Sequence, residues 1–256
     1  MRLGKALFCS VFLILNANPL YSQQSDPRVT SALQSSLTAM LGANTVQDVT
    51  LSGSAQRIAG TTVETGTAKL SANSAGFAQI ALQFSSGTWS ESRSATANGV
   101  AGAWSSPDGV QHSVAGHNLL TTGSWFSPCL FLQEILSSKS EVISYVGQES
   151  RSGVSVLHFV AISTPIENDP KVSSLLQHLS QLEIYLDSGS FLPVALQFSA
   201  HPDNDLQVDI PIEIQFSNYQ VLNGIRLPLH LEKYVNNTRA LDLTFQSAAF
   251  NTGVNQ

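Results

Sequence analysis

The chain has 256 residues, of which 43% are hydrophobic and only 12% charged. Twelve basic residues stand against 18 acidic ones, a net charge of −6 at pH 7. This balance excludes the basic surface that nucleic-acid binding needs to neutralise phosphates. It equally excludes an electrostatic hold on anionic lipid head groups. The charged fraction is about half the ~25% usual for globular domains, so Ser, Thr, Asn, Gln and Gly must carry much of the surface.

The first 22 residues read as a signal peptide. Arg2 and Lys5 form a basic start, and Ala6 to Leu15 is an apolar run of ten residues, too short to span a bilayer. Asn16, Pro19 and Ser22 break the run, and cleavage is expected after Ser22. Cys9 sits inside the apolar run behind Ala6-Leu7-Phe8, which lacks the small residues that precede a lipidated cysteine. A periplasmic or secreted location follows. About 234 residues remain, with 10 basic and 18 acidic side chains and a net charge of −8. That length suits one large antiparallel β domain, residues 23–256. No later apolar run approaches ~18 residues, so no integral membrane span is expected after cleavage. Cys129 is then the only cysteine left, which rules out an internal disulfide.

Asp26-Pro27 opens a helix, with Asp as N-cap and Pro in the first turn. Val29, Leu33, Leu37 and Met40 or Leu41 give it one apolar stripe, and Gly42 stops it. From Val46 the period changes to two. Strands are predicted over 49–58, 62–71, 77–84, 88–95, 100–105 and 110–115, punctuated by Gly-, Asn- and Pro-rich turns such as Asn98-Gly99. Spacing near ten residues and short connections point to an up-and-down meander. Leu119 to Ser138 interrupts it with a dense apolar cluster, and Ser127-Pro128 starts a second helix there. Strands return at 142–149 and 154–163. Asp169-Pro170 caps a third helix carrying Val172, Leu175, Leu176 and Leu179. The chain ends in strands at 183–187, 192–200, 208–219, 225–235 and 241–250.

One block is especially informative. Ile212 to Phe216 alternates apolar and polar residues, and Asn223-Gly224 supplies the positive φ angles of a type I′ hairpin before Ile225. The sequence Phe216-Ser217-Asn218-Tyr219, then Gly224, then Leu227-Pro228, resembles the C-terminal part of the LolA/LolB-like superfamily of periplasmic lipoprotein- and lipid-binding proteins. Glu183-Ile184-Tyr185-Leu186-Asp187 followed by Leu192-Pro193-Val194 resembles the same family's strand, Asp turn and Leu-Pro strand. The resemblance is best over residues 181–251. It implies a mainly β (α+β) fold: a curved, incompletely closed antiparallel sheet, or half-barrel, with short helices covering its concave face. It also implies an apolar cavity for acyl chains, lidded by the stripes around Leu33, Phe131 and Leu176. Two family features are missing. Arg57 and Arg93 lack the flanking aromatics of the carriers' aromatic-Arg-aromatic strand, and no lipid-attachment cysteine is present.

No catalytic motif is legible. Gly-x-Ser-x-Gly, Ser-x-x-Lys, Walker, Gly-x-Gly-x-x-Gly and His-Glu-x-x-His patterns are all absent. His112 and His117 read as a hairpin end rather than a metal pair, and His201-Pro202-Asp203-Asn204-Asp205 as a solvated acidic turn. Glu134 and Glu141 have no legible partner. No cofactor and no metal is expected. The best candidates for lining a cavity are Trp125, Phe126, Leu130 and Phe131 of the central cluster, with Trp89 and Trp104 facing it from strands. As core residues they would need no further explanation. The expected function is therefore that of an exported, non-enzymatic binder of a lipid, an acyl chain or a lipidated protein. The alternative is an envelope protein with a filled interior that binds a protein partner through its surface.

Overall fold

A computed structural model describes residues 27–97, 99–164 and 169–254. The expected signal segment, Asp26 and Asn98 lie outside these. Helix α1 (Pro27–Leu41) precedes strands β1 (Asp48–Ala59), β2 (Thr62–Asn73), β3 (Ala78–Phe84), β4 (Gly87–Thr96), β5 (Gly99–Ser105) and β6 (Gln111–Ser113). A 3-10 turn (Gly116–Leu119) and helix α2 (Pro128–Ser137) lead to β7 (Glu141–Arg151) and β8 (Val154–Ser163). Helix α3 (Pro170–Ser180) is followed by β9 (Leu182–Asp187), β10 (Pro193–Ala200), β11 (Ile210–Leu222), β12 (Ile225–Val235) and β13 (Thr238–Phe250).

All 13 strands form one sheet in the order β6-β5-β4-β3-β2-β1-β13-β12-β11-β10-β9-β8-β7. Each neighbouring pair is antiparallel, and the sheet does not close, since β6 and β7 are its two edges. The path explains the shape. The chain starts in the middle of the sheet and meanders out to β6. It crosses to the far edge through the segment holding α2, then meanders back until β13 pairs with β1. The fold class is the mainly β, incompletely closed half-barrel that the sequence resemblance implies.

Alternation decides which face is buried. Val49, Leu51 and Ala55 of β1, Ile80, Leu82 and Phe84 of β3, and Ile212, Ile214 and Phe216 of β11 all turn to the concave side and are buried. Leu227, Leu229 and Leu231 of β12 form the same row. Helix α1 buries Val29, Leu33 and Met40 and packs on α2 and against β12 and β7. Helix α2 is apolar nearly all round, with Cys129, Leu130, Phe131, Leu132 and Ile135 buried, as befits a helix enclosed between sheet and helix.

Three expectations need correction. Helix α3 is a weak lid: Leu179 is its only buried apolar residue, Leu176 is half-buried, and the helix packs against β8 near the sheet's rim. The strand expected over 110–115 contracts to Gln111–Ser113, because the chain leaves the sheet for the 3-10 turn that begins at Gly116. The strand expected to start at Val208 starts at Ile210, because Val208 O faces the buried ring of His201 at 3.3 Å. Asp169 caps α3 as its sequence suggests, accepting from Lys171 N–H at 2.8 Å.

Candidate functional site

The concave rows do not stay apolar to their ends. Beyond Ala55 the β1 row continues with Arg57, and beyond Leu231 the β12 row continues with Lys233. These two cations stand at the mouth of a cleft of about 310 Å³. Ile80 and Leu82 of β3, Leu241 of β13 and Val235 of β12 wall it. Trp89 of β4, Trp104 of β5 and Trp125 from the segment before α2 also line it. Strand pairing brings the aromatics together, because Trp89 lies opposite Leu82 and Trp104 opposite Glu91, two residues along.

The cations lie against the tryptophans. The Arg57 guanidinium is 4.1 Å from the Trp89 ring centre, and Lys233 Nζ is 4.9 Å from that of Trp125. Such cation–π contacts are worth about 0.5–2 kcal/mol. Arg57 also pairs with Glu64 at 3.2 Å, which holds its side chain in place. The Trp89 indole N–H is buried without an acceptor, and a buried unmet donor costs about 1–3 kcal/mol. The cleft thus combines aromatic walls with two cations and one carboxylate, Glu91. It suits a ligand with a slender apolar body and an acceptor or anionic end.

The six candidate residues divide into two groups. Trp89, Trp104 and Trp125 share the cleft. Phe126, Leu130 and Phe131 do not reach it. They are at most 2% exposed and belong to the packed interior, where Phe131 stacks on Phe216 with ring centres 6.2 Å apart. Beneath the start of α2, a void bordered by Met40, Leu51, Phe126 and Cys129 measures only about 10 Å³, less than one water molecule occupies. The interior under α2 is filled, and the open space lies beside it. Arg57 and Lys233 were missed by sequence reasoning. The available signal was their parity, since each falls on the inward register of an otherwise apolar row.

Other polar groups arrange themselves differently. Arg93 is half-buried beneath the 119–121 segment and donates to the carbonyls of Leu119 and Thr121. Glu134 accepts from Thr122 Oγ1 at 3.0 Å, so it does have a partner. Burial, reinforced by the charge of Glu134, pushes Glu141 up to about 7. Ser217, His230 and Asp242 form a chain of contacts of 2.8 and 3.0 Å across β11, β12 and β13. Arg239 binds Asp242 at 3.1 Å and Glu232 at 2.6 Å, filling the carboxylate cluster a metal would need. Ser217 is exposed on the outer face of paired strands. His112 stacks on Trp104 with ring centres 4.3 Å apart, away from His117 in the 3-10 turn. His201 is buried rather than at a solvated tip, because Asn118 grips its backbone from both sides at 2.8 and 2.9 Å. Burial lowers its pKa, against the opposing pull of Asp209.

Neither a protein-family model nor a curated protein sequence matches the chain. Solved structures do. A domain assigned to outer-membrane lipoprotein sorting in Vibrio parahaemolyticus superposes with a TM-score of 0.53 at 10% identity, over 90% of this chain and 94% of that one. A DUF1329 family protein from Desulfovibrio piger gives 0.54 at 11%, over 90% and 96%. A LolA superfamily protein from Nitrosomonas europaea gives 0.53 at 8%, over 87% and 93%. The chain therefore has the fold of LolA superfamily proteins along almost its whole length.

Proposed function

We propose that this LolA-like chain is an exported, non-enzymatic binder of an acyl chain or a similarly slender apolar ligand, held in the cleft of Trp89, Trp104 and Trp125. The observation that carries this reading is the cleft itself. At about 310 Å³ it is open and aromatic, and two cations stand beside its rings, whereas the rest of the concave interior is packed. Its volume falls at the lower end of the range typical of small-molecule sites, ~300–1,000 Å³. Each buried methylene contributes about 0.8 kcal/mol, so an alkyl segment of modest length suffices for micromolar retention. Arg57 and Lys233 supply the few directional contacts that would orient a carboxylate or phosphate end. Likeness to a domain assigned to lipoprotein sorting supports the ligand class. Signal cleavage after Ser22 would deliver the protein to the periplasm or outside. No helix among the described residues is long and apolar enough to cross a membrane.

Native mass spectrometry followed by organic extraction tests the reading. A stoichiometric acyl compound is expected. Titration with the fluorescent probe dansyl-undecanoic acid adds a residue-level check. Trp104 is 40% exposed, so Trp104→Ala leaves the fold intact while removing ~1.4 kcal/mol of contact, about a tenfold loss of affinity. An apo mass together with no saturable probe binding would overturn the reading. So would probe affinity unchanged by Trp104→Ala. One observation favours a second reading, a surface-acting protein with a filled core: the void under α2 is almost nil. A clean apo mass after incubation with envelope lipids would move the balance to it.

A further inference from the structure

Away from the tryptophan cleft, three imidazoles gather where α3 meets the connection between β10 and β11. The rings of His178 and His201 are 5.2 Å apart and those of His117 and His201 6.5 Å apart. Asp209 closes the group. Its Oδ1 lies 3.4 Å from His178 Nε2 and 3.4 Å from His201 Nδ1. A tetrahedral ion with bonds of about 2.0–2.1 Å to nitrogen and oxygen keeps its ligand atoms about 3.4 Å apart, and both separations meet that length. One ligand atom from each of the three side chains lies within 4.8 Å of the others. At 3.4 Å the pairs are too long to be good hydrogen bonds.

A second observation points the same way. The Nε2 of His178, the atom that faces Asp209, is buried and has no hydrogen-bond partner. A buried imidazole nitrogen beside a carboxylate, outside good hydrogen-bonding distance, calls for a partner that the two can share. The surroundings are built as a ligand needs. Asn118 fixes the His201 backbone with hydrogen bonds of 2.8 and 2.9 Å. A cleft of about 200 Å³ reaches His178 and Asp209 from solvent, which gives an ion its entry path. His117 is engaged elsewhere, 3.1 Å from His201 O and 3.6 Å from the exposed Asp203.

We infer that His178, His201 and Asp209 form a binding site for a first-row divalent transition ion of the zinc type, with the fourth position open to solvent. Imidazole and carboxylate ligands favour such an ion over calcium or magnesium, which seek six or more oxygens. The ion would staple α3, which buries little apolar surface of its own, to the connection leading into β11. The test is calorimetric titration of the untagged, EDTA-stripped protein with zinc chloride. One equivalent is expected to bind, with a raised melting temperature in its presence. Cobalt(II) in its place should give the visible absorption of a four-coordinate ion. His178→Gln and Asp209→Asn, both at partly exposed positions, should each weaken binding at least about tenfold, while His112→Gln and Asp242→Asn leave it unchanged. Absence of a stoichiometric site overturns the inference. So does affinity unmoved by the two ligand variants, or lost in Asp242→Asn. Circular dichroism of each variant separates lost ligands from lost fold.

Discussion

At the scale of single residues, the structure separates side chains that fill space from side chains left without partners. Phe131 belongs to the first kind. Fully enclosed against Phe216, it can report on stability but not on binding, and any test of ligand retention belongs at Trp104 instead. Glu141 belongs to the second. Its Oε2 is buried without a partner, and its pKa of about 7 stands above the ordinary 4.5. Between those two values the folded chain keeps a proton that the unfolded chain has released. Stability therefore falls as pH rises from about 4.5 to 7 and stays reduced above. Glu141→Gln should remove the penalty. Urea unfolding at pH 8 is expected to show a gain on the order of 2–3 kcal/mol, and at pH 4 almost none. An equal gain at both pH values would place the effect in packing rather than ionisation. None of this was legible in the sequence, because the burial of Glu141 depends on α2, β7 and the 119–124 segment converging from distant parts of the chain.

At the scale of elements, local chemistry was a good guide wherever the element closes on itself. The hairpin of β11 and β12 forms around Asn223 and Gly224, with φ of +53° and +82°, and pairs Leu222 with Ile225 as the Asn-Gly signal requires. Helix α3 begins at its Asp-Pro pair for the same reason. The guide fails where an element's fate is set from outside. Nothing in Val110 to Ala115 says that only three residues will pair, and nothing in α3's stripe says that it will sit at the rim. Gly53 is a third instance. Within β1 it looks like an ordinary weak strand residue, yet a Cβ there would lie 2.1 Å from Thr244 O and 2.7 Å from Phe245 Cα. It marks the place where the β1–β13 register shifts, a close backbone approach that only glycine permits. Gly53→Ala is expected to cost about 2–4 kcal/mol by urea unfolding. Gly147→Ala in β7, with open space around it, should change the midpoint little. Equal midpoints for the two variants would contradict the tight approach.

At the scale of the whole molecule, one antiparallel meander with a helical bridge accounts for both the filled interior and the open cleft. Helices α1 and α2 cover the concave face where its rows are apolar. Where the rows turn cationic, at Arg57 and Lys233, the cover ends and the tryptophans begin. The half-barrel was readable from strand spacing and from the block at 212–228. The boundary between plug and cleft was not, since it depends on which residues of 125–131 the helices press inward. The start of β1 and the residues that follow β13 meet at the central seam. Asp48 accepts from Thr252 N–H and Gly253 N–H at 2.9 Å each, and Asn251 accepts from Gln47 N–H at 2.7 Å. Removing residues 251–256 should therefore lower the thermal midpoint and speed amide exchange in β1 and β13 before any other strand. Uniform loosening of the sheet would argue that the clasp has no local role.

That seam also gives the fold a sense of time. The strand synthesised first among the thirteen is paired with the strand synthesised last, and the contacts that fasten them span 204 and 205 residues. The hairpins on either side complete themselves as they emerge, by short-range pairing. Strand β1 alone must wait, with Val49, Leu51 and Ala55 on an edge that invites the wrong partner until Thr238–Phe250 arrives. A chain cut short anywhere upstream carries that bare edge permanently. The same arrangement that leaves the sheet's rims free at β6 and β7 thus makes its centre a record of whether β13 has been made, readable by any protease or chaperone that recognises an unpaired strand.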